Sequence, residues 1–189
     1  MLIVDTGPLV SIADRDDPHY QRCRDLLESE PGPLVTTALV IAEAGYLLDR
    51  NLGPMAETAL LDMICDGSLI VEDLSAADWI RIRELTVTYA DLPLGVTDGS
   101  VIAIAERHKA RRVATLDRRH FHVIRPANVD TFELVPWASR HRAALAQHVP
   151  RARVRSIGGI TGPHKQGSNG GRQGTVGFGD LAAVEAGGH

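Results

Sequence analysis

The sequence predicts an α/β fold, a three-layer α/β/α sandwich around a mostly parallel central sheet of about five strands. Three observations predict it. Short, mostly apolar runs of strand length recur at 2–4, 34–36, 69–71, 113–115 and 131–135. Stretches with helical period separate most of them, and strands alternating with helices read as parallel βαβ units. The runs are too apolar for a sheet with one wet face, and they fit a sheet covered on both sides.

Each element has a local cause. Leu2, Ile3 and Val4 form an apolar strand that ends at Asp5. Residues 6–13 read as a short helix, with Pro8 tolerated in its first turn. A second helix opens at Asp17 and Pro18, runs to about Ser29, and is stopped by Pro31, Gly32 and Pro33. The strand at 34–36 leads to Thr37, which can cap a long helix through Asp49 that ends near Asn51 and Gly53. Pro54 starts a helix to Asp66, closed by Gly67. After the strand at 69–71, Ser75 caps a helix from Ala76 to about Tyr89. A loop spans 90–95. Thr97 or Asp98 then caps a helix to Lys109, and the strands at 113–115 and 131–135 complete the sheet.

Composition and charge bound the function. The 189 residues suit one domain with a tail, and 44% hydrophobic residues suffice for a core. No stretch approaches the ~20 apolar residues of a membrane helix. The first residues carry neither a basic region nor a long apolar run, so no secretory leader and no membrane association are expected. Cys23 and Cys65 form no metal-binding spacing and read as buried, reduced thiols of a cytoplasmic protein.

The net charge of −4 conceals two unlike regions. Residues 1–140 hold 14 Lys and Arg against 22 Asp and Glu, whereas 141–189 hold 6 against 2 and carry 11 of the 18 glycines. We therefore read 1–140 as the folded domain and 141–189 as a basic, Gly-rich, disordered tail. Residues 106–125 contain seven Lys and Arg and two acids, a local basic strip suited to phosphate contacts.

Four acids stand out. In an open α/β sheet, ligands bind outside the carboxyl ends of the strands. Asp5 follows the first strand and Asp117 the fourth, Asp98 begins a helix, and Glu43 has Leu39, Val40, Tyr46 and Leu47 as helical neighbours, so it is expected on the core side. Each has a plainer reading: a helix cap for Asp5 or Asp98, a turn for Asp117, a buried Arg partner for Glu43. Taken together they can converge on one rim, where mutual repulsion calls for a divalent cation. All-oxygen ligands favour Mg2+ or Mn2+.

The segments LIVDTGPLV at 2–10, VIAEAGYLL at 40–48, DLPLGVTDGSVIAIAERHKA at 91–110 and RVATLDRRHFHVIRP at 112–126 resemble the PIN-domain family. More narrowly, they resemble the VapC toxin ribonucleases of type II toxin–antitoxin systems. The resemblance covers roughly 1–136. It implies an acidic centre of Asp5, Glu43, Asp98 and Asp117 that holds Mg2+, with Mn2+ able to substitute. Thr6 and Thr115 are the hydroxyl residues beside it.

It further implies an endoribonuclease that inhibits translation and leaves 3′-hydroxyl and 5′-phosphate ends. Expected partners are RNA, a cognate VapB-type antitoxin and a second copy of the chain. Arg118, Arg119 and Arg112 are the expected RNA contacts, drawn from the basic strip. Gly99 stands where the family more often has Ala, and the extension beyond 140 exceeds the usual family length. A noncatalytic RNA- or protein-binding module is the competing reading, which retention of all four acids disfavours. A phosphohydrolase of the haloacid dehalogenase type would need a second Asp where Gly7 stands.

Overall fold

In the computed structural model, residues 1–92, 94–127 and 129–137 are described. The expected tail at 141–189 lies outside them. The elements run β1 (Leu2–Val4), α1 (Thr6–Ser11), α2 (Tyr20–Ser29), β2 (Leu34–Thr37), α3 (Ala38–Leu52), α4 (Pro54–Cys65), β3 (Ile70–Glu72), α5 (Ala76–Thr88), α6 (Val96–Arg107), β4 (Arg112–Ala114), α7 (Arg118–Val123) and β5 (Glu133–Val135).

The five strands form one sheet in the order β3-β2-β1-β4-β5, and every pairing is parallel. Ile3 lies opposite Val35 on one side and Val113 on the other, and Val113 opposite Leu134. The chain lays β2 and β3 to one side of β1, then returns to lay β4 and β5 on the other. The strand order therefore reverses between β1 and β4, and the crevice at their carboxyl ends is the place such sheets bind ligands.

All of β1 and β2 is buried, as covering on both faces requires. Leu9, Val40, Leu48, Leu60, Ile102 and Ile104 pack in the same core at 2% exposure or less. Each such side chain contributes about 1.5–3 kcal/mol by leaving water. Gly53, at φ 90°, ends α3, where its amide donates to the Asp49 and Leu48 carbonyls.

Several expectations are corrected in detail. The N-cap of α6 is Gly95, not Thr97 or Asp98, and Asp98 sits three residues on, its carboxylate accepting the Gly95 N–H at 3.1 Å. The short helix α7 has no counterpart among the elements expected from sequence. The buried face of α3 is Val40, Ala44, Gly45 and Leu48, so Glu43 lies on an exposed edge rather than toward the core. Cys23 is buried, but Cys65, the last residue of α4, is exposed. No helix among the described residues is long and apolar enough to cross a membrane.

Candidate active site

Two backbone hydrogen bonds align the strand ends. The Asp5 N–H donates to the Ala114 carbonyl at 2.9 Å, and the Thr115 N–H to the Val135 carbonyl at 3.0 Å. The residue after β1 and the residue after β4 are thereby fixed side by side. Thr115, fully buried, donates its hydroxyl to Asp5 Oδ2 at 2.7 Å and accepts the Asp117 N–H at 3.0 Å. One hydroxyl thus links the two strand-end acids. The other Asp5 oxygen caps α1 by accepting the Thr6 N–H at 2.7 Å. Asp5 therefore is a helix cap as well as a strand-end acid.

The helices bring the remaining groups. Thr6 donates its hydroxyl to Glu43 Oε2 at 2.5 Å, which joins α1 to α3 and holds the carboxylate in place of the buried Arg that the sequence alone allows. The Thr37 and Ser100 hydroxyls lie 2.8 Å apart, and Ser100 also donates to the Thr97 carbonyl. Both residues are fully buried, and they tie the start of α3 to the first turn of α6, which carries Asp98. Asp117 caps α7 by accepting the Arg119 N–H at 2.8 Å. A pocket of about 690 Å3 results, lined by Asp5, Glu43, Asp98 and Asp117 together with Thr6, Gly7, Leu116, Arg118, Arg119 and Trp137.

Eight of the nine site residues named from sequence therefore meet here, seven lining the pocket and Thr115 gripping Asp5. Arg112 does not. It opens β4, three residues and about 10 Å of strand from Thr115, and its guanidinium pairs with Glu30, which also faces the Met1 amino group. Arg112→Gln is expected to lower stability by about 1 kcal/mol, because the nearly buried Glu30 loses its main partner. Thermal unfolding beside RNA binding checks this, with RNA affinity expected to stay put. Arg107, also in the basic strip, is occupied by Asp78 and Glu72.

Thr37, Ser100, Trp137, Gly7 and Leu116 belong to the site although sequence reasoning did not select them. Thr37 and Ser100 register α3 against α6, and a buried hydroxyl leaves no signal in a hydrophobic pattern. Trp137 lies beyond the last strand, outside every family motif. Gly7 has a steric role: a Cβ there would stand 3.0 Å from the Leu116 Cβ. Leu116 lies between Thr115 and Asp117 and cannot retreat without moving them. Gly7→Ala is expected to lower stability by roughly 1–2 kcal/mol, read from urea unfolding.

Burial pushes the Asp5 carboxyl up from 3.8 to about 6, with the Thr115 hydroxyl and Thr6 N–H opposing and the charges of Asp98 and Glu43 adding. Among the described residues no three acidic, His or Cys side chains already stand as a metal-ligand group. Asp5, Glu43, Asp98 and Asp117 are instead turned onto nearby hydroxyl and amide donors. The donor set nevertheless fits a hard divalent ion: it offers carboxylates only, and the charges of Asp98 and Glu43 oppose ionisation of the buried Asp5.

A family model for the PIN domain matches residues 2–125. The chain belongs to the PIN-domain family. This PIN domain is 30% identical over 135 residues to Ribonuclease VapC26 of Mycobacterium tuberculosis, a match spanning 71% of the chain and 100% of that relative. Among solved structures it resembles VapC20 of Mycobacterium tuberculosis, a sarcin-ricin loop cleaving toxin, with TM-score 0.62 and 19% identity over 70% of this chain and 100% of the other. It also resembles a toxin–antitoxin complex from Klebsiella pneumoniae, with TM-score 0.51 and 16% identity over 70% and 100%. FitAcB from Neisseria gonorrhoeae matches with TM-score 0.50 and 22% identity over 70% and 97%. These structural likenesses establish the shared fold.

Proposed function

We propose that this PIN-domain protein is a VapC-type endoribonuclease toxin of a toxin–antitoxin system, which uses Mg2+ to cleave RNA and so inhibits translation in the cytoplasm. One observation carries the reading. Two acids at the ends of adjacent parallel strands, Asp5 and Asp117, share a pocket with Glu43, Asp98 and two exposed arginines. The relative named Ribonuclease VapC26 supports the activity, and the toxin–antitoxin complex among the structural neighbours supports a VapB-type antitoxin as partner. Residues 1–140 carry the activity, and the protein works as a homodimer.

Asp5, Glu43, Asp98 and Asp117 would hold the cation. When bound, a divalent cation neutralises charge on the scissile phosphate and lowers the pKa of a bound water. The chain's own groups do the rest. Thr115 and Thr6 orient Asp5 and favour its ionised form against the burial that opposes it. Thr6 holds Glu43. Arg118 and Arg119 meet the RNA backbone, which gives affinity and salt dependence rather than sequence choice.

The reading is tested by incubating the purified protein with an RNA pool in Mg2+ or Mn2+ and analysing the new ends. Products with 5′-phosphate and 3′-hydroxyl ends, absent in EDTA, are expected. Cyclic-phosphate ends, or cleavage that persists in EDTA, would overturn it.

A further inference from the structure

Trp137 sits at the edge of the acid pocket with its ring among cations. The Arg118 guanidinium lies 5.3 Å and the Arg22 guanidinium 4.9 Å from the ring centroid, and His19 packs edge-on at 5.8 Å. The indole N–H donates to the Thr115 carbonyl at 2.9 Å. The same Thr115 grips Asp5 through its hydroxyl, so the ring is tied directly to the catalytic rim.

The choice of an aromatic partner matters for what the arginines can do. A guanidinium held by a carboxylate spends its N–H donors on that partner, as Arg112 and Arg107 do here. A guanidinium held against an indole is retained by its charge and its planar face, and its donors stay available for a phosphate. Arg22 and Arg118 are both exposed and make no ion pair among the described residues. Two available cations on one anchored ring, beside a pocket of carboxylates that repels a polyanion, place attraction where the flanking phosphates of a strand would run.

We propose that Arg22, Trp137 and Arg118 form an RNA-backbone clamp that leads the strand from the acid pocket onto α2. Trp137 is the positioning residue, and the two arginines contact phosphates on the sugar–phosphate chain. The clamp rests on the ribonuclease reading and extends the substrate path to Arg22, which does not line the pocket.

The test uses the full-length protein and a fluorescein-labelled single-stranded oligoribonucleotide. Binding is read by anisotropy in EDTA across a salt series, and cleavage of the same RNA in Mg2+ is read separately. Arg22→Gln, an exposed substitution, is expected to weaken binding roughly tenfold uniformly across sequences. It should reduce the slope of log affinity against log salt by about 0.7, the value for one phosphate no longer neutralised, and raise KM with kcat nearly unchanged.

The Arg22→Gln/Trp137→Ala double variant should bind little worse than Trp137→Ala alone, because residues acting through one another are not additive. Unchanged affinity and slope in Arg22→Gln would overturn the clamp, and so would failure of the wild type to bind RNA. If RNA binds with the expected salt pattern but is not cleaved in Mg2+, the clamp stands and the nuclease reading falls.

Discussion

Asp5→Asn is expected to abolish RNA cleavage and, in the same protein, to stabilise the metal-free fold at neutral pH. The loss follows from position. Asp5 is the buried acid of the pocket, and removing its charge removes the proposed cation ligand that two strands and a helix cap converge to place. A fall of roughly a thousandfold corresponds to several kcal/mol of lost transition-state stabilisation.

The gain follows from its raised pKa. The folded protein keeps a proton on Asp5 up to about pH 6, whereas the unfolded chain releases it near 3.8. The stability contributed by this group is therefore full below pH ~4 and is lost as pH rises through ~6. Asn resembles the protonated form, so its advantage is absent at pH 4 and on the order of 1–2 kcal/mol at pH 7. Thermal unfolding in EDTA at the two pH values, beside cleavage assays, checks both halves. A variant that is inactive and less stable at pH 7 would indicate simple misfolding instead.

Thr115→Val has the second largest expected effect. Val fills the same volume but leaves the buried Asp5 without its hydroxyl donor and the half-buried Asp117 N–H without its acceptor. The stability cost is about 1–3 kcal/mol. The Thr115 hydrogen bond holds the Asp5 carboxyl down. Its loss moves the acidic limb of the pH–rate profile upward, so activity falls roughly tenfold or more near neutrality and recovers in part at higher pH. Thr115→Ser, which restores the hydroxyl, should return the limb. A uniform loss at every pH, not repaired by Ser, would show that Thr115 acts only through packing.

The strand-end acids are legible because a parallel sheet has a simple code: an apolar run followed by a carboxylate marks the ligand edge. Asp5 and Asp117 obey it. What the sequence does not disclose depends on information the linear pattern lacks. The large neighbours of Glu43 are apolar and point it toward the core, but α3 packs through Ala44 and Gly45, whose small side chains count little in a hydrophobic pattern. The start of α6 falls two or three residues earlier than its sequence suggests because its cap is Gly95, which has no side chain to betray it.

Arg112 looks equivalent to Arg118 within one basic strip, yet β4 runs between them and carries them to opposite ends of the sheet. The short helix α7 has no visible period, being only six residues held by the Asp117 cap and the buried Phe121. Trp137 escapes the sequence reading because it stands just past the last strand, outside the matching motifs, and nothing in the sequence tells what its ring faces.

The four carboxylates are proposed to form one cation site on which RNA cleavage depends. The most direct measurement is the rate of RNA cleavage against Mg2+ concentration for the wild type and for Asp98→Asn. Asp98 lies on the first turn of α6, only partly buried, so the substitution spares the core. Saturable Mg2+ activation is expected in the wild type, with cleavage at least about a hundredfold slower in Asp98→Asn at every Mg2+ concentration. Equal rates in the two proteins, or a wild-type rate that does not respond to Mg2+, would contradict it.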